Sequence, residues 1–138
     1  AALETMIIRS AELPVALQAT QSQAGEVVTA GNEKDGEASS YAWILVPTGD
    51  DSGSYSIRTV SGVSLDWDVG QNRIQLYPYL GYPNQRWNIS NNDDGTVSIT
   101  SVHNGSALRV SEDGTKLMME DFHAEDEYQK WTLENKVQ

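Results

Sequence analysis

The chain has 138 residues, the size of one domain, and can bury a core without staples. It has no cysteine, which excludes disulfides and thiolate metal sites. Nine Lys and Arg stand against 20 Asp and Glu, a formal charge of −11, which is the wrong sign for a nucleic-acid or heparin binder.

In chain order, the first apolar segments are Met6-Ile7-Ile8-Arg9, Val15-Ala16-Leu17-Gln18-Ala19 and Val27-Val28-Thr29-Ala30, with a fourth opening at Trp43-Ile44-Leu45. Ahead of them, Ala1-Ala2-Leu3-Glu4 has no basic start and no long apolar run. No segment approaches the roughly 20 apolar residues of a membrane-spanning helix, so membrane insertion is not expected. The next set is Tyr55-Ser56-Ile57-Arg58-Thr59-Val60, Val63-Ser64-Leu65-Asp66-Trp67, Ile74-Gln75-Leu76-Tyr77 and Trp87-Asn88-Ile89. The last is Val97-Ser98-Ile99-Thr100-Ser101-Val102, Ser106-Ala107-Leu108-Arg109-Val110, Leu117-Met118-Met119-Glu120 and Trp131-Thr132-Leu133.

The segments are short and alternate with period two, as half-buried strands do. Val63, Leu65 and Trp67 point one way while Ser64 and Asp66 point the other, which predicts Trp67 in the core and Asp66 exposed at the surface. Asp35-Gly36, Ser61-Gly62, Asp94-Gly95, Asn104-Gly105 and Asp113-Gly114 mark turns between segments. No long stretch has helical period, and residues 11–17 and 123–128 fit a loop or a single turn.

Trp43, Trp87 and Trp131 are evenly spaced, 44 residues apart. Gln85-Arg86 and Gln129-Lys130 precede the last two, and Tyr41-Ala42 stands in the same place before the first. Each tryptophan thus opens the fourth segment of a repeat. One repeat cannot bury its apolar face alone; three around a pseudo-threefold axis can, and closure removes exposed edges. The expected fold is all-β: a β-trefoil of three repeats of four short strands. The repeats cover about residues 1–48, 49–92 and 93–138 of a single domain, 1–138.

Threefold repetition ending in Gln-x-Trp resembles the ricin-B-type β-trefoil lectins. The absence of cysteine departs from the plant toxin members and is more similar to the intracellular fungal lectins. The resemblance therefore implies a cytoplasmic location, or secretion without disulfides. It also implies up to one shallow sugar site per repeat, with galactose or N-acetylgalactosamine as the usual ligand. The motif combines an Asp on the second strand, a Gln and an aromatic after the third, and an Asn before the Gln of Gln-x-Trp.

Repeat two carries every element: Asp66, Gln75, Tyr77 and Asn84, with Gln85 as the structural Gln that props the Asp. Repeat three has Arg109, Glu120 and Tyr128 at the Asp, aromatic and Asn positions. Repeat one has Gln18 for the Asp, no aromatic near residues 29–31, and Ser40 for the Asn. One site of three is expected to survive. The chemistry suits a hexose. A carboxylate accepts from adjacent hydroxyls, an amide both donates and accepts, and an aromatic ring offers a flat surface to the C–H face. Tyr79 and Tyr82 either line this site or pack a loop. Exposure of Asp66 implies that Asp66→Ala would cost little stability, whereas Trp87 is expected in the core.

The two histidines do not form a zinc motif: His103 precedes a turn, and His123 lies among acids without a second His in reach. Residues 91–95 read as a hairpin turn rather than a calcium loop. No nucleophile elbow or phosphate loop is present, so neither an enzyme nor a cofactor is expected. The competing readings are a β-trefoil protease inhibitor, acting through a loop bearing Lys34 or Arg73, and a carbohydrate-binding module of a larger enzyme. A single shallow site would bind monosaccharide at about millimolar strength, near −4 kcal/mol. A homodimer would supply the second copy that useful avidity needs. The expected partners are glycans of glycoproteins or glycolipids.

Overall fold

The computed structural model describes residues 4–137, and every long regular element in it is a strand. The first unit holds β1 (Glu4–Ser10), β2 (Ala16–Gln18), β3 (Thr29–Gly31) and β4 (Trp43–Pro47). The second holds β5 (Tyr55–Thr59), β6 (Ser64–Asp68), β7 (Arg73–Tyr77) and β8 (Trp87–Asn91). The third holds β9 (Val97–Ser101), β10 (Ala107–Val110), β11 (Leu117–Glu120) and β12 (Trp131–Val137). Short 3-10 turns at Ala38–Tyr41, Pro83–Gln85 and Glu127–Gln129 deliver the chain to each tryptophan strand. This is the β-trefoil that the repeats predict.

Antiparallel pairing closes a ring of six strands. β1 pairs with β4, β4 with β5, β5 with β8, β8 with β9, β9 with β12, and β12 with β1. Closure leaves the barrel strands no free edge. The hairpins β2–β3, β6–β7 and β10–β11 attach outside this ring.

The repeated residues stack as threefold sets inside. Ile8, Ile57 and Ile99 are fully buried, as are Leu17, Leu65 and Leu108 with Trp43, Trp87 and Trp131. Each indole N–H donates to the carbonyl of the leucine in its own repeat: Trp43 to Leu17 at 3.1 Å, Trp87 to Leu65 at 3.3 Å, Trp131 to Leu108 at 3.0 Å. A buried tryptophan thereby satisfies its donor and sets where each second strand ends up.

The residue between Gln and Trp also has a task. Arg86 donates to Asp50 and Lys130 to Asp94, each at 2.9 Å, which ties the turn to the preceding hairpin tip. The Ser52 hydroxyl, with its backbone N–H and Arg86, holds the Asp50 carboxyl down to about 2. Ala42 occupies the corresponding place in repeat one.

Candidate functional site

Asp66 lies on β6, directly opposite Gln75 on β7. The 3-10 turn Pro83–Gln85 brings Asn84 and Gln85 onto the same carboxylate. Three neutral amides converge there: Gln75 Nε2 at 3.4 Å and Asn84 Nδ2 at 3.2 Å on Oδ1, and Gln85 Nε2 at 3.0 Å on Oδ2. Asn84 is oriented by a second bond to the Trp67 carbonyl at 3.0 Å. Gln85 is fully buried, donates to the Pro78 carbonyl at 2.9 Å and accepts from the Leu80 N–H at 2.8 Å. It therefore fixes the loop after β7 and the Asp66 side chain together. Tyr77 pairs opposite Ser64, two residues along from Gln75, and is 45 % exposed. The five residues thus meet in one place.

The expectation that Asp66 is surface-exposed is not met: it is 6 % exposed. Alternation correctly turns it away from the barrel core, but the Pro83–Gln85 turn covers that outer face. Burial pushes its carboxyl pKa upward, against the lowering effect of the Gln85, Gln75 and Asn84 hydrogen bonds; Asp68 adds a smaller upward push. Among the described residues no cation pairs with Asp66. A buried carboxylate held only by neutral amides is costly for the fold, and such perturbed groups cluster at functional sites.

Trp67 is in the core as expected, 5 % exposed. Its indole N–H donates to Asn72 Oδ1 at 3.0 Å, and Asn72 bonds both the N–H and the carbonyl of Met119 in repeat three. Asn72 was not singled out by the repeat pattern; the structure places it in a turn with φ of +49°, a conformation that Asn tolerates better than most residues. Tyr82 is exposed, whereas Tyr79 is half-buried beneath the Arg58 guanidinium, 4.5 Å from the ring centre. Val27 of repeat one pairs with Gln75 across the outer edge of β7, so a residue from another repeat flanks the site. Arg73 is the first residue of β7 and pairs with Asp68 at 3.4 Å, so it is not on a loop. Lys34 lies exposed in the 3-10 turn Glu33–Asp35.

The other two repeats fill the equivalent space. In repeat three Arg109 faces Glu112, Glu120 and Asp126 at 3.7, 3.5 and 3.1 Å and lies over the Tyr128 ring at 4.9 Å. In repeat one the Gln18 side chain lies over Gly31, close enough that a β-carbon there would collide with it. Gln129 repeats the loop bracket of Gln85, donating to the Asp121 carbonyl at 2.8 Å and accepting from the His123 N–H at 2.9 Å. Tyr41 replaces it in repeat one: its hydroxyl donates to the Asn32 carbonyl at 3.0 Å, while Asn32 Oδ1 accepts from the Lys34 N–H. The degenerate Tyr-Ala-Trp thus keeps half of the bracket by other means.

The fold is shared with solved structures of low identity. The designed threefold-symmetric protein ThreeFoil is 23 % identical with a TM-score of 0.79, over 94 % of this chain and 96 % of that one. A lectin of Polyporus squamosus, solved with the human-type influenza-binding epitope Neu5Acα2-6Galβ1-4GlcNAc, is 20 % identical with a TM-score of 0.79. An endo-β-galactosidase of Clostridium perfringens that releases GlcNAcα1-4Gal is 13 % identical, also at 0.79. This chain covers 94 % and 95 % of its own length in those two matches but spans only 48 % and 32 % of theirs. No curated protein matches it by sequence. A family profile described as ricin-type beta-trefoil lectin domain-like matches residues 42–120 and 83–138. On that match, and on the threefold barrel with its tryptophan sets, the chain belongs to the ricin-type β-trefoil lectin domain-like family.

Proposed function

We propose that this domain is a lectin that binds galactose- or N-acetylgalactosamine-terminated glycans through one site in the second repeat. The observation that carries this is the buried, cation-free Asp66 carboxylate, gripped by three amides beside the exposed Tyr77 ring. Asp66 accepts from two neighbouring hydroxyls, Asn84 and Gln75 exchange hydrogen bonds with the same hydroxyls, and Tyr77 stacks on the C–H face. The 3.4 Å contact from Gln75 is the longest of the three and the one a ligand displaces most cheaply. Gln85 holds Asp66 from behind without touching sugar. Binding, not catalysis, is the activity this arrangement supports. A glycan array run with the wild type and Asp66→Asn tests it: galactose-type binding should be lost in the variant, and no binding by folded wild type would sink the reading.

A second reading, a carbohydrate-binding module of a longer protein, draws on the relatives in which the same fold forms a minor part of the chain. The mass of the native protein decides between them, and the site chemistry is the same in both.

Gln85→Ala and Gln129→Ala separate site from scaffold. Each removes a buried loop bracket and should cost about 2–3 kcal/mol, measured by urea unfolding. Only Gln85→Ala should also weaken sugar binding, because Gln85 bonds the Asp66 carboxylate whereas Gln129 bonds only backbone groups. Equal weakening in both would place the ligand elsewhere.

Binding should also weaken with acid at a higher pH than an ordinary Asp allows. Asp66 must be ionised to accept from hydroxyls, and burial holds its pKa above the ordinary aspartate value of 3.8. Between 3.8 and the raised value the folded protein holds a proton that the unfolded chain has released. In that window stability falls as pH rises while sugar affinity rises. Titration calorimetry across pH 4 to 7 should show the affinity loss; affinity flat across that range would exclude Asp66 as the acceptor.

A further inference from the structure

The pseudo-threefold axis exposes a second difference between repeats, away from Asp66. Ile8, Ile57 and Ile99 share one buried position, so the residues that follow them, Arg9, Arg58 and Thr100, correspond. Gly31, Tyr77 and Glu120 end the third strands, so the residues two further on, Glu33, Tyr79 and Phe122, correspond as well. In repeat one Arg9 reaches across to Glu33 and is also paired with Glu134. In repeat two Arg58 reaches across to the Tyr79 ring and bonds the Ser56 hydroxyl at 2.8 Å. In repeat three the arginine is replaced by Thr100, and its counterpart is Phe122, which is 46 % exposed.

The short threonine leaves a groove of about 380 Å³ lined by residues including Ser90, Asn91, Asn92, Ser98, Thr100 and Phe122. Its floor is formed by Ser90, Ser98 and Thr100 of the β8–β9 hairpin, where Ser90 pairs with Ser98 and Thr100 pairs with Asn88 beside the groove. All four are small, polar and uncharged; the β4–β5 hairpin has Ile44, Val46, Ser56 and Arg58 there. Ser98 donates to Asn92 Oδ1 at 3.1 Å and Asn92 donates to Thr96 at 3.0 Å, which fixes that amide. The side chains of Ser90, Asn91 and Thr100 bond no other described residue. In the adjoining hollow Lys130 pairs with Asp94 at 2.9 Å and with Glu127 at 3.2 Å, and Asp93 lines the same hollow.

We propose that this groove is a second carbohydrate-binding site, taking one neutral sugar ring against Phe122. The class of ligand follows from the lining. Hydroxyl and amide groups match a rim of hydroxyls, an exposed aromatic face matches a C–H face, and no unpaired cation or anion lines the groove to select a charged ligand. The volume lies at the small end of ligand sites, about 300–1,000 Å³. That the ligand is a sugar rests on the lectin reading above; the place does not. Two unlike sites on one chain would give avidity for branched glycans without a dimer.

The test is a ¹H–¹⁵N titration of the whole domain with the methyl glycosides of galactose, N-acetylgalactosamine, glucose and N-acetylglucosamine. Three variants are run beside the wild type: Asp66→Asn, Phe122→Ala and Thr100→Arg. The last restores the residue that the other two repeats carry and so should fold normally. At least one glycoside should shift the resonances of residues 88–92, 98–100 and 122. Those shifts should persist in Asp66→Asn and vanish in Phe122→Ala and Thr100→Arg. No shifts in the groove, or shifts unchanged in Thr100→Arg, would overturn the proposal. Shifts confined to Gln75 and Asn84 overturn the groove and leave the repeat-two site standing. Shifts confined to the groove overturn the repeat-two site alone.

Discussion

Asp66→Asn should abolish measurable sugar binding while the domain stays folded. The substitution keeps the shape of the side chain but removes the charge and turns one acceptor oxygen into a donor. Each charge-assisted bond to a hydroxyl is worth about 1.5–3 kcal/mol, so loss of one weakens binding about 10- to 150-fold. From about millimolar affinity, that moves the dissociation constant beyond usable concentrations. The fold pays a smaller cost, about 1–3 kcal/mol, because the new amide must face the donors of Gln75, Asn84 and Gln85. Relief of a buried, unpaired charge offsets part of it. Asp66→Ala is the poorer test, since it removes the shared acceptor of three amides and confounds binding with stability. Calorimetric titration with galactose, alongside a urea melt of each variant, separates the two effects. Wild-type affinity in a folded Asp66→Asn protein would remove Asp66 from the site.

Trp87→Ala should cost about 3–5 kcal/mol of stability, a large part of the total of about 5–15 kcal/mol for a domain. Trp87 is fully buried within the core cluster, so truncation opens a cavity that the closed barrel around it cannot readily collapse. It also leaves the Leu65 carbonyl without the indole donor. Leu65 immediately precedes Asp66, so the same change should loosen the strand that carries the carboxylate. Trp43→Ala and Trp131→Ala should cost about as much, because they occupy the same position around the axis. The shift in urea midpoint measures this; a loss below about 1 kcal/mol at any of the three would contradict threefold equivalence of the core.

Period-two alternation and the even spacing of three tryptophans determined the strand count, the threefold division and the core sets without any knowledge of pairing. Those features depend on residues near one another in the chain, which is what periodicity records. The resemblance to the ricin-B-type lectins, laid over those repeats, implied that Asp66, Gln75, Tyr77, Asn84 and Gln85 belong together, and that Arg109 and Gln18 depart from the motif. What alternation could state was which way each side chain leaves its own strand. It could not state what else lies over that face. Asp66 points outward as read, yet is buried because the Pro83–Gln85 turn folds across it. Val27 stands beside Gln75 because a loop of repeat one runs along β7. Tyr41 serves where a glutamine is absent because its hydroxyl reaches the equivalent carbonyl. Arg58 closes a groove that Thr100 leaves open because each side chain meets a loop from distant sequence. Cover, neighbours across repeats and open space arise only when closure of the barrel brings separate segments together, and so the tertiary structure alone decided them.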